Sequence, residues 1–311
     1  MTNKNQHNNQ KENNTLKAPI FFNDTYTACG YEFDTTRKSS WIAESLREHP
    51  IKGVQLVDPS ASAARAEQLV RVIHDHKYVE AVRTGSPADL ASSQGFTWDE
   101  AIYHTAIAHA SGLIAATERV LLHGDPWAGT LSSGLHHASF SSGRGYCTFN
   151  GLSAAAQHAE HLGAERIGIL DFDAHCGGGT YATTRHLPVT QIDVSTVSYD
   201  TWRPASDDTS SELIYAQADN YLDCIRRALE QAERLGPWDL VIYNAGMDPY
   251  DSGISTSVLR MREQLVAQWT TAPTVVTLAG GYTGRFTEAE LVSAHRSTFE
   301  AFARYAVGTG Q

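Results

Sequence analysis

The sequence predicts an α/β fold: one domain in three layers, with a mainly parallel sheet between two layers of helices. Short apolar runs alternate along the chain with segments of helical spacing. This alternation is typical of βαβ crossovers and of a sheet covered on both faces. No internal repeat or linker divides the 311 residues. The first 17 residues are rich in Asn, Gln and Lys and have no apolar core, so we expect a disordered leader at 1–17 and one domain at 18–311.

The elements follow from the spacing of apolar residues. The predicted strands are residues 18–22, 119–123, 166–170, 189–194, 240–244 and 274–278. The predicted helices are residues 60–74, 76–82, 97–116, 151–162, 215–235, 255–269 and 288–305. Thr97 and Glu100 have the spacing of a capping box at the start of the third helix. The glycine-containing segments 83–96 and 124–145 are expected to be long surface loops.

Composition excludes several classes of function. The chain has 24 Lys and Arg against 35 Asp and Glu, which gives a net charge of −11. This negative charge argues against general nucleic-acid binding. It is compatible with a small cationic substrate. No apolar run reaches the ~18 residues of a membrane span. The four cysteines are scattered through the chain, so we expect reduced thiols in a cytoplasmic protein.

The segment Asp171-Phe172-Asp173-Ala174-His175 follows directly on the apolar run 166–170. Side chains alternate along a strand, so Asp171, Asp173 and His175 are expected to point to one side. Two carboxylates and an imidazole on one face suit Zn²⁺ or another divalent transition metal. Taken alone, the segment also has a second, less favoured interpretation, that of a solvated acidic strand end.

Three more predicted strands are followed by polar side chains. His136 and His137 come after 119–123, Asp248 after 240–244, and Tyr282 after 274–278. In a parallel sheet all of these groups lie at the edge where ligands bind. Asp173, His175 and Asp248 would leave coordination positions open for water and substrate, a histidine could serve as general base, and a Tyr hydroxyl could stabilise an oxyanion.

Five motifs in this order resemble the histone-deacetylase-like amidohydrolases of the arginase/deacetylase superfamily, from about residue 20 to the C-terminus. They are GLHH at 134–137, GYCTFN at 145–150, DFDAHCGGGT at 171–180, NAGMD at 244–248 and GGY at 280–282. The resemblance implies an arginase/deacetylase-like fold. It also implies metal-dependent hydrolysis of an acyl-amide.

The resemblance assigns roles to individual positions. It implies that Asp173, His175 and Asp248 bind Zn²⁺, with Fe²⁺ as the alternative metal. It implies that His136 and His137 are the catalytic pair, with His137 as general base and acid.

Asp171 is implied to lie behind His136, and its backbone is similar to part of a structural K⁺ site near Ser195. Tyr282 is implied to stabilise the oxyanion. Gly145 and Tyr146 correspond to one wall of the substrate tunnel, and Trp202 is a candidate for the opposite wall.

The chain departs from the family pattern in the glycine-rich part of its central motif. Cys176 stands where a second histidine is usual, and it is interpreted as a small buried residue rather than a nucleophile or ligand. Gly178 stands where an Asp or Asn commonly supports the second histidine of the pair. Gly177 and Gly246 replace carboxylates that a two-manganese site of the arginase branch requires.

The leading hypothesis is therefore a cytoplasmic zinc-dependent amidohydrolase acting on a small acylated amine, a polyamine or a metabolite amide. No nucleic-acid or membrane partner is expected, and a homo-oligomer stays open. One alternative is a non-catalytic, deacetylase-like ligand-binding protein, which Gly178 and Cys176 favour. A di-manganese ureohydrolase is the third hypothesis.

Overall fold

Eight parallel strands form one central sheet in the computed structural model, which describes residues 17–29, 33–270 and 272–306. The strands are Ala18–Phe21 (β1), Val54–Val57 (β2), Trp127–Thr130 (β3), Ile167–Asp171 (β4), Val189–Ser195 (β5), Glu212–Tyr215 (β6), Leu240–Ala245 (β7) and Thr274–Leu278 (β8). Their order across the sheet is β2-β1-β3-β8-β7-β4-β5-β6. Every pairing is parallel, which confirms the predicted fold class.

Helices cover both faces of the sheet. They are Lys38–Glu48 (α1), Ala63–Ile73 (α2), His76–Thr84 (α3), Ala88–Ala91 (α4), Ala101–Leu122 (α5), Gly151–His161 (α6), Gly178–Thr184 (α7), Tyr221–Leu235 (α8), Thr256–Trp269 (α9) and Glu288–Tyr305 (α10). Helices α5 and α6 contribute to the apolar cluster on one face, and α1, α8, α9 and α10 contribute to the cluster on the other.

Strand β7 shows why the central strands are continuously apolar. Val241 and Tyr243 join the cluster beneath α8, α9 and α10, whereas Leu240 and Ile242 join the cluster beneath α5 and α6. A parallel strand buried on both faces needs apolar residues at successive positions. The predictions for β4, β7 and β8 therefore agree closely with the observed strands.

The strand predicted at residues 119–123 is wrong. These residues form the last turn of α5 and its C-cap, and the strand follows at Trp127–Thr130. A five-residue apolar run does not distinguish a buried helix from a buried strand. The predicted capping box is also wrong. Glu100 is the N-cap residue of α5 and has helical backbone angles. The side chain of Asp99 accepts a hydrogen bond at this end of the helix, from Ala101 N to Oδ1 at 2.7 Å.

The predicted leader lies outside the described residues, apart from Lys17. None of the helices described here is long and apolar enough to cross a membrane. All four cysteines are present as free thiols.

The order of the strands determines which loops meet. Strands β3, β8, β7, β4 and β5 are consecutive neighbours in the sheet. Because all five are parallel, the segments that follow them emerge at one edge. These segments carry the predicted histidines, carboxylates and tyrosine, so the topology places the chemistry-bearing residues side by side.

Candidate functional site

Asp173, His175 and Asp248 form one compact group at the carboxyl edge of the sheet, with one ligand atom from each residue within 4.8 Å of the others. His175 Nδ1 lies 2.9 Å from Asp248 Oδ2 and 3.2 Å from Asp173 Oδ1. Both carboxylates are buried, and His175 is partly exposed. Gly280 permits this approach, because a Cβ atom at residue 280 would overlap Asp248 Oδ2.

The charge balance of this group fits a divalent cation. Burial raises the pKa of Asp248 to about 6, and the neighbouring negative charge of Asp173 adds to the effect. Two buried carboxylates repel each other unless a positive charge lies between them. Two oxygen ligands and one imidazole nitrogen match a catalytic Zn²⁺ or Fe²⁺ site that keeps a position open.

His136 and His137 lie side by side, with ring centroids 4.0 Å apart. His136 Nδ1 lies 2.8 Å from Asp171 Oδ2, and Asn244 Nδ2 donates to the other oxygen of Asp171 at 2.9 Å. The loop that carries the pair is held by Asn150, whose Nδ2 donates to the carbonyl oxygen of Ala138 at 3.0 Å. The structure thus places a carboxylate next to His136 Nδ1, and Asn150 anchors the backbone of the loop.

The two histidines differ in charge. Burial alone would lower the pKa of His136, but the carboxylates of Asp171 and Asp173 outweigh burial and raise it to about 10. Burial, together with the positive charge of His136, lowers the pKa of His137 to about 4. A general base must be neutral before the reaction. This difference favours His137 as the base.

Tyr282 follows β8 and lines one cavity together with His136, His137 and Asp173. Burial raises the pKa of Tyr282 well above its usual value, and the charges of Asp248 and Asp173 add to this, so the phenol keeps its proton. The next residue, Thr283, donates from its backbone N and its hydroxyl to the buried carboxylate of Asp34. The turn that presents Tyr282 is therefore tied to the segment before α1.

The turn containing Gly145 and Tyr146 borders the same cavity. Both residues have positive φ angles, 53° and 60°, and a Cβ atom on Gly145 would lie 2.5 Å from His137 Cδ2. The Tyr146 ring stacks on Phe33, with centroids 4.2 Å apart. Glycine at 145 thus lets the turn approach the histidine pair.

The structure does not bring Trp202 to this group, contrary to the expectation of an opposite tunnel wall. The Trp202 ring stacks on Tyr181 at 4.2 Å, and its Nε1 donates to Asp193 at 2.6 Å. Tyr199 is an aromatic residue that does lie beside the histidines. Its ring centroid lies 4.9 Å from that of His137 and 5.7 Å from that of His175.

Asp200 is a residue of this site that the sequence did not indicate. It follows β5, and its Oδ2 lies 3.0 Å from His137 Nδ1. Its other carboxylate oxygen accepts a hydrogen bond from Arg144 Nη1 at 3.2 Å. The contact joins residues 63 positions apart, and no motif spacing links them. Its one local signature is a positive φ of 54°, which a sequence does not reveal.

Ser195, at the end of β5, bears on the expected K⁺ site. Its Oγ is buried without a hydrogen-bond partner among the described residues. A buried hydroxyl normally has a partner. The unsatisfied oxygen, at a strand end next to the Asp171 strand, fits a ligand of a monovalent cation.

Residues 32–203, more than half of the chain, match the histone deacetylase domain family. The chain belongs to this family. This assignment and the parallel sheet confirm the family resemblance of the sequence motifs. Family members are hydrolases of the deacetylase type, which agrees with the coarse chemistry expected from those motifs.

Two curated relatives and one solved structure illustrate the family membership. An uncharacterised protein of Picosynechococcus is 27% identical over 226 residues, which are 68% of this chain and 75% of the relative. Histone deacetylase 2 of Arabidopsis thaliana is 26% identical over 233 residues, 68% of this chain and 60% of that protein. The crystal structure of an acetylpolyamine aminohydrolase from Burkholderia pseudomallei superimposes with a TM-score of 0.74 at 18% identity, covering 92% of this chain and 98% of that one. At this identity the structural match shows the fold alone.

Proposed function

We propose that the protein is a metal-dependent amidohydrolase that removes an acyl group from a small acylated amine, a polyamine or a metabolite amide. The observation that carries this proposal is the convergence of three candidate metal-ligand side chains, a histidine pair and a partly buried tyrosine at one edge of the sheet. We further propose that residues 18–311 are one catalytic domain acting in the cytoplasm.

Each group has a separate task. Asp173, His175 and Asp248 would hold the divalent metal, which supplies Lewis-acid activation of the amide carbonyl and of the attacking water. His137, neutral before the reaction, takes the proton of the water and returns it to the leaving amine. Tyr282 keeps its proton and donates a hydrogen bond to the developing oxyanion.

The substrate class is supported from two directions. The net charge of −11 favours a cationic or basic small molecule over an acidic one. The acetylpolyamine aminohydrolase that shares the fold acts, by its name, on an acylated polyamine.

The test is a panel of acyl-lysines, acyl-polyamines and other linear amides, assayed with Zn²⁺ or Fe²⁺ and again with a chelator. We expect turnover that the chelator removes. The variant H137A should lose about 10²- to 10⁴-fold in kcat while its metal content stays that of the wild type. The variant D248A should lose the metal itself.

Two results would redirect the proposal. Binding of these amides without hydrolysis by the metal-loaded protein would favour the non-catalytic alternative. Two metal ions per chain by elemental analysis would favour a di-manganese ureohydrolase.

A further inference from the structure

We propose that Asp200 is the positioning residue of His137, and that Gly178 is a glycine because Asp200 occupies the space its side chain would need. The related pattern has an Asp or Asn at this point of the central motif, and here the carboxylate arrives instead from the loop after β5. The catalytic role of the contact between Asp200 and His137 rests on the proposed function, whereas the contact itself does not.

The hydrogen bonds of Asp200 define its role. Its Oδ2 accepts from His137 Nδ1 at 3.0 Å and from the backbone N of Gly179 at 3.1 Å. The side chains of His137 and Asp200 are both largely buried, so solvent screens their interaction weakly. An imidazole that donates its Nδ1 proton keeps Nε2 as the basic nitrogen. Asp200 therefore selects one tautomer of His137 and fixes the plane of its ring.

Gly178 and Asp200 are sterically coupled. A Cβ atom on Gly178 would overlap the backbone carbonyl oxygen of Asp200 and lie 2.9 Å from its Cγ. A side chain at residue 178 is therefore incompatible with the observed position of Asp200. The absence of a side chain at 178 leaves the room that Asp200 occupies.

The backbone of Asp200 is held in a conformation that most residues avoid. Its φ of 54° lies in the left-handed region, which Asp tolerates better than most non-glycine residues. The backbone carbonyl oxygen of Tyr199 accepts a hydrogen bond from Cys176 N at 3.0 Å, which ties the loop to the metal-ligand segment. Such conformations persist where the surroundings determine them, and they cluster at functional sites.

Arg144 closes the arrangement from the solvent side. Its Nη1 donates to Asp200 Oδ1 at 3.2 Å, and its Nε donates to the Tyr199 hydroxyl at 3.2 Å. The guanidinium lies 4.8 Å from the centroid of the Tyr199 ring. This contact holds the Asp200 carboxylate in its orientation towards His137.

The first arm of the test removes the carboxylate, and glycine is chosen because it adopts the positive φ at residue 200 without strain. In the metal-loaded protein, D200G should lower kcat about 10- to 100-fold, with KM and metal content unchanged. The matched control is D207G, because Asp207 lies in the same connection after β5 and its side chain is 82% exposed. Wild-type kcat in D200G would overturn the proposal.

The second arm tests the steric coupling. A Cβ atom at residue 178 would overlap the backbone carbonyl oxygen of residue 200, which remains in every variant at that position. G178A should therefore shift the loop that carries Asp200 and lower kcat at least tenfold, with metal content unchanged. Wild-type kcat in a soluble, metal-loaded G178A would overturn the proposal.

The third arm needs no turnover. The ring nitrogens of His137 are assigned in ¹⁵N spectra of the metal-loaded protein by their loss in H137Q. We expect a protonated, exchange-protected Nδ1 in the wild type and in D207G, and faster Nδ1 proton exchange in D200G. Identical His137 spectra in wild type and D200G would overturn the proposal. If no amide is hydrolysed, the proposed function fails while this arm still decides the contact.

Discussion

His74 is expected to be an acid-sensitive link to the segment that carries His136 and His137. It follows α2 and is buried, and its Nδ1 donates to the carbonyl oxygen of Ser139 at 2.7 Å. Its Nε2 accepts from the backbone N of Asn150 at 2.9 Å. Both bonded residues belong to the segment that carries the histidine pair. Because Nε2 must be unprotonated to accept, the native state requires neutral His74.

The size of the effect follows from linkage. Burial lowers the pKa of His74 from 6.5 to about 4, against opposing hydrogen bonds to the carbonyl oxygens of Ser139 and Phe140. A depressed folded-state pKa means that the stabilisation is complete above pH 6.5 and is lost as the pH falls towards 4. At about 1.4 kcal/mol per pKa unit, the free energy of unfolding should fall by about 3 kcal/mol in total and by about 2 kcal/mol at pH 5.

Urea unfolding at pH 7 and pH 5 measures this, with the metal concentration held constant. H74Q should be less stable than the wild type at pH 7, and its loss between the two pH values should be smaller by about 2 kcal/mol. The control H76Q removes a neighbouring histidine whose side chain is 82% exposed, and it should keep the wild-type pH dependence. Other pH effects, including metal release, cancel in these differences. Equal losses in H74Q and the wild type would refute the reasoning.

Three more predictions follow from buried contacts. Asp34 accepts hydrogen bonds from the turn that carries Tyr282, so D34A should lower kcat about tenfold or more at unchanged metal content. A wild-type kcat in D34A would contradict this role of Asp34. Arg262 and Glu263 form a fully buried ion pair, so E263L should lower the free energy of unfolding by about 3–5 kcal/mol in urea titrations, whereas R262M/E263L should recover much of that loss. A Cβ atom on Gly112 would overlap the hydroxyl oxygens of Tyr26 and Thr130. G112A should therefore lower the free energy of unfolding by about 1–3 kcal/mol in urea titrations, and wild-type stability would contradict this packing.

The central strands and the loops beyond them were predictable because each carries a local pattern. Strand β4 is apolar up to its last residue, Asp171. Asp171, Asp173 and His175 then occupy alternate positions at and after the end of the strand. The four-residue strand β3, with the sequence WAGT, has no such pattern. It is a strand because it lies between β1 and β8, which is a property of the whole sheet. The edge strands β2 and β6 were missed for the same reason.

The site residues divide in the same way. The proposed metal ligands and the histidine pair lie in motifs that follow strands, so their side chains could be named from the sequence. Trp202 is only a candidate for the opposite tunnel wall on the sequence, and in the structure its ring stacks on Tyr181 instead. Asp200 is recognisable only when the loop after β5 is seen against His137, since the contact depends on the β4–β5 pairing and on an unusual φ.

The alternative of a non-catalytic protein rests on Gly178 and Cys176. The structure leaves no gap at Gly178, because Asp200 lies there and presents a carboxylate to His137. Cys176 is buried, and burial raises the pKa of its thiol, so it is an uncharged packing residue. Its Sγ faces the carbonyl oxygen of Val197 and the Tyr215 hydroxyl, both at 3.6 Å. Neither departure removes a group that the proposed hydrolysis needs, so the two residues that favoured loss of activity are compatible with its retention.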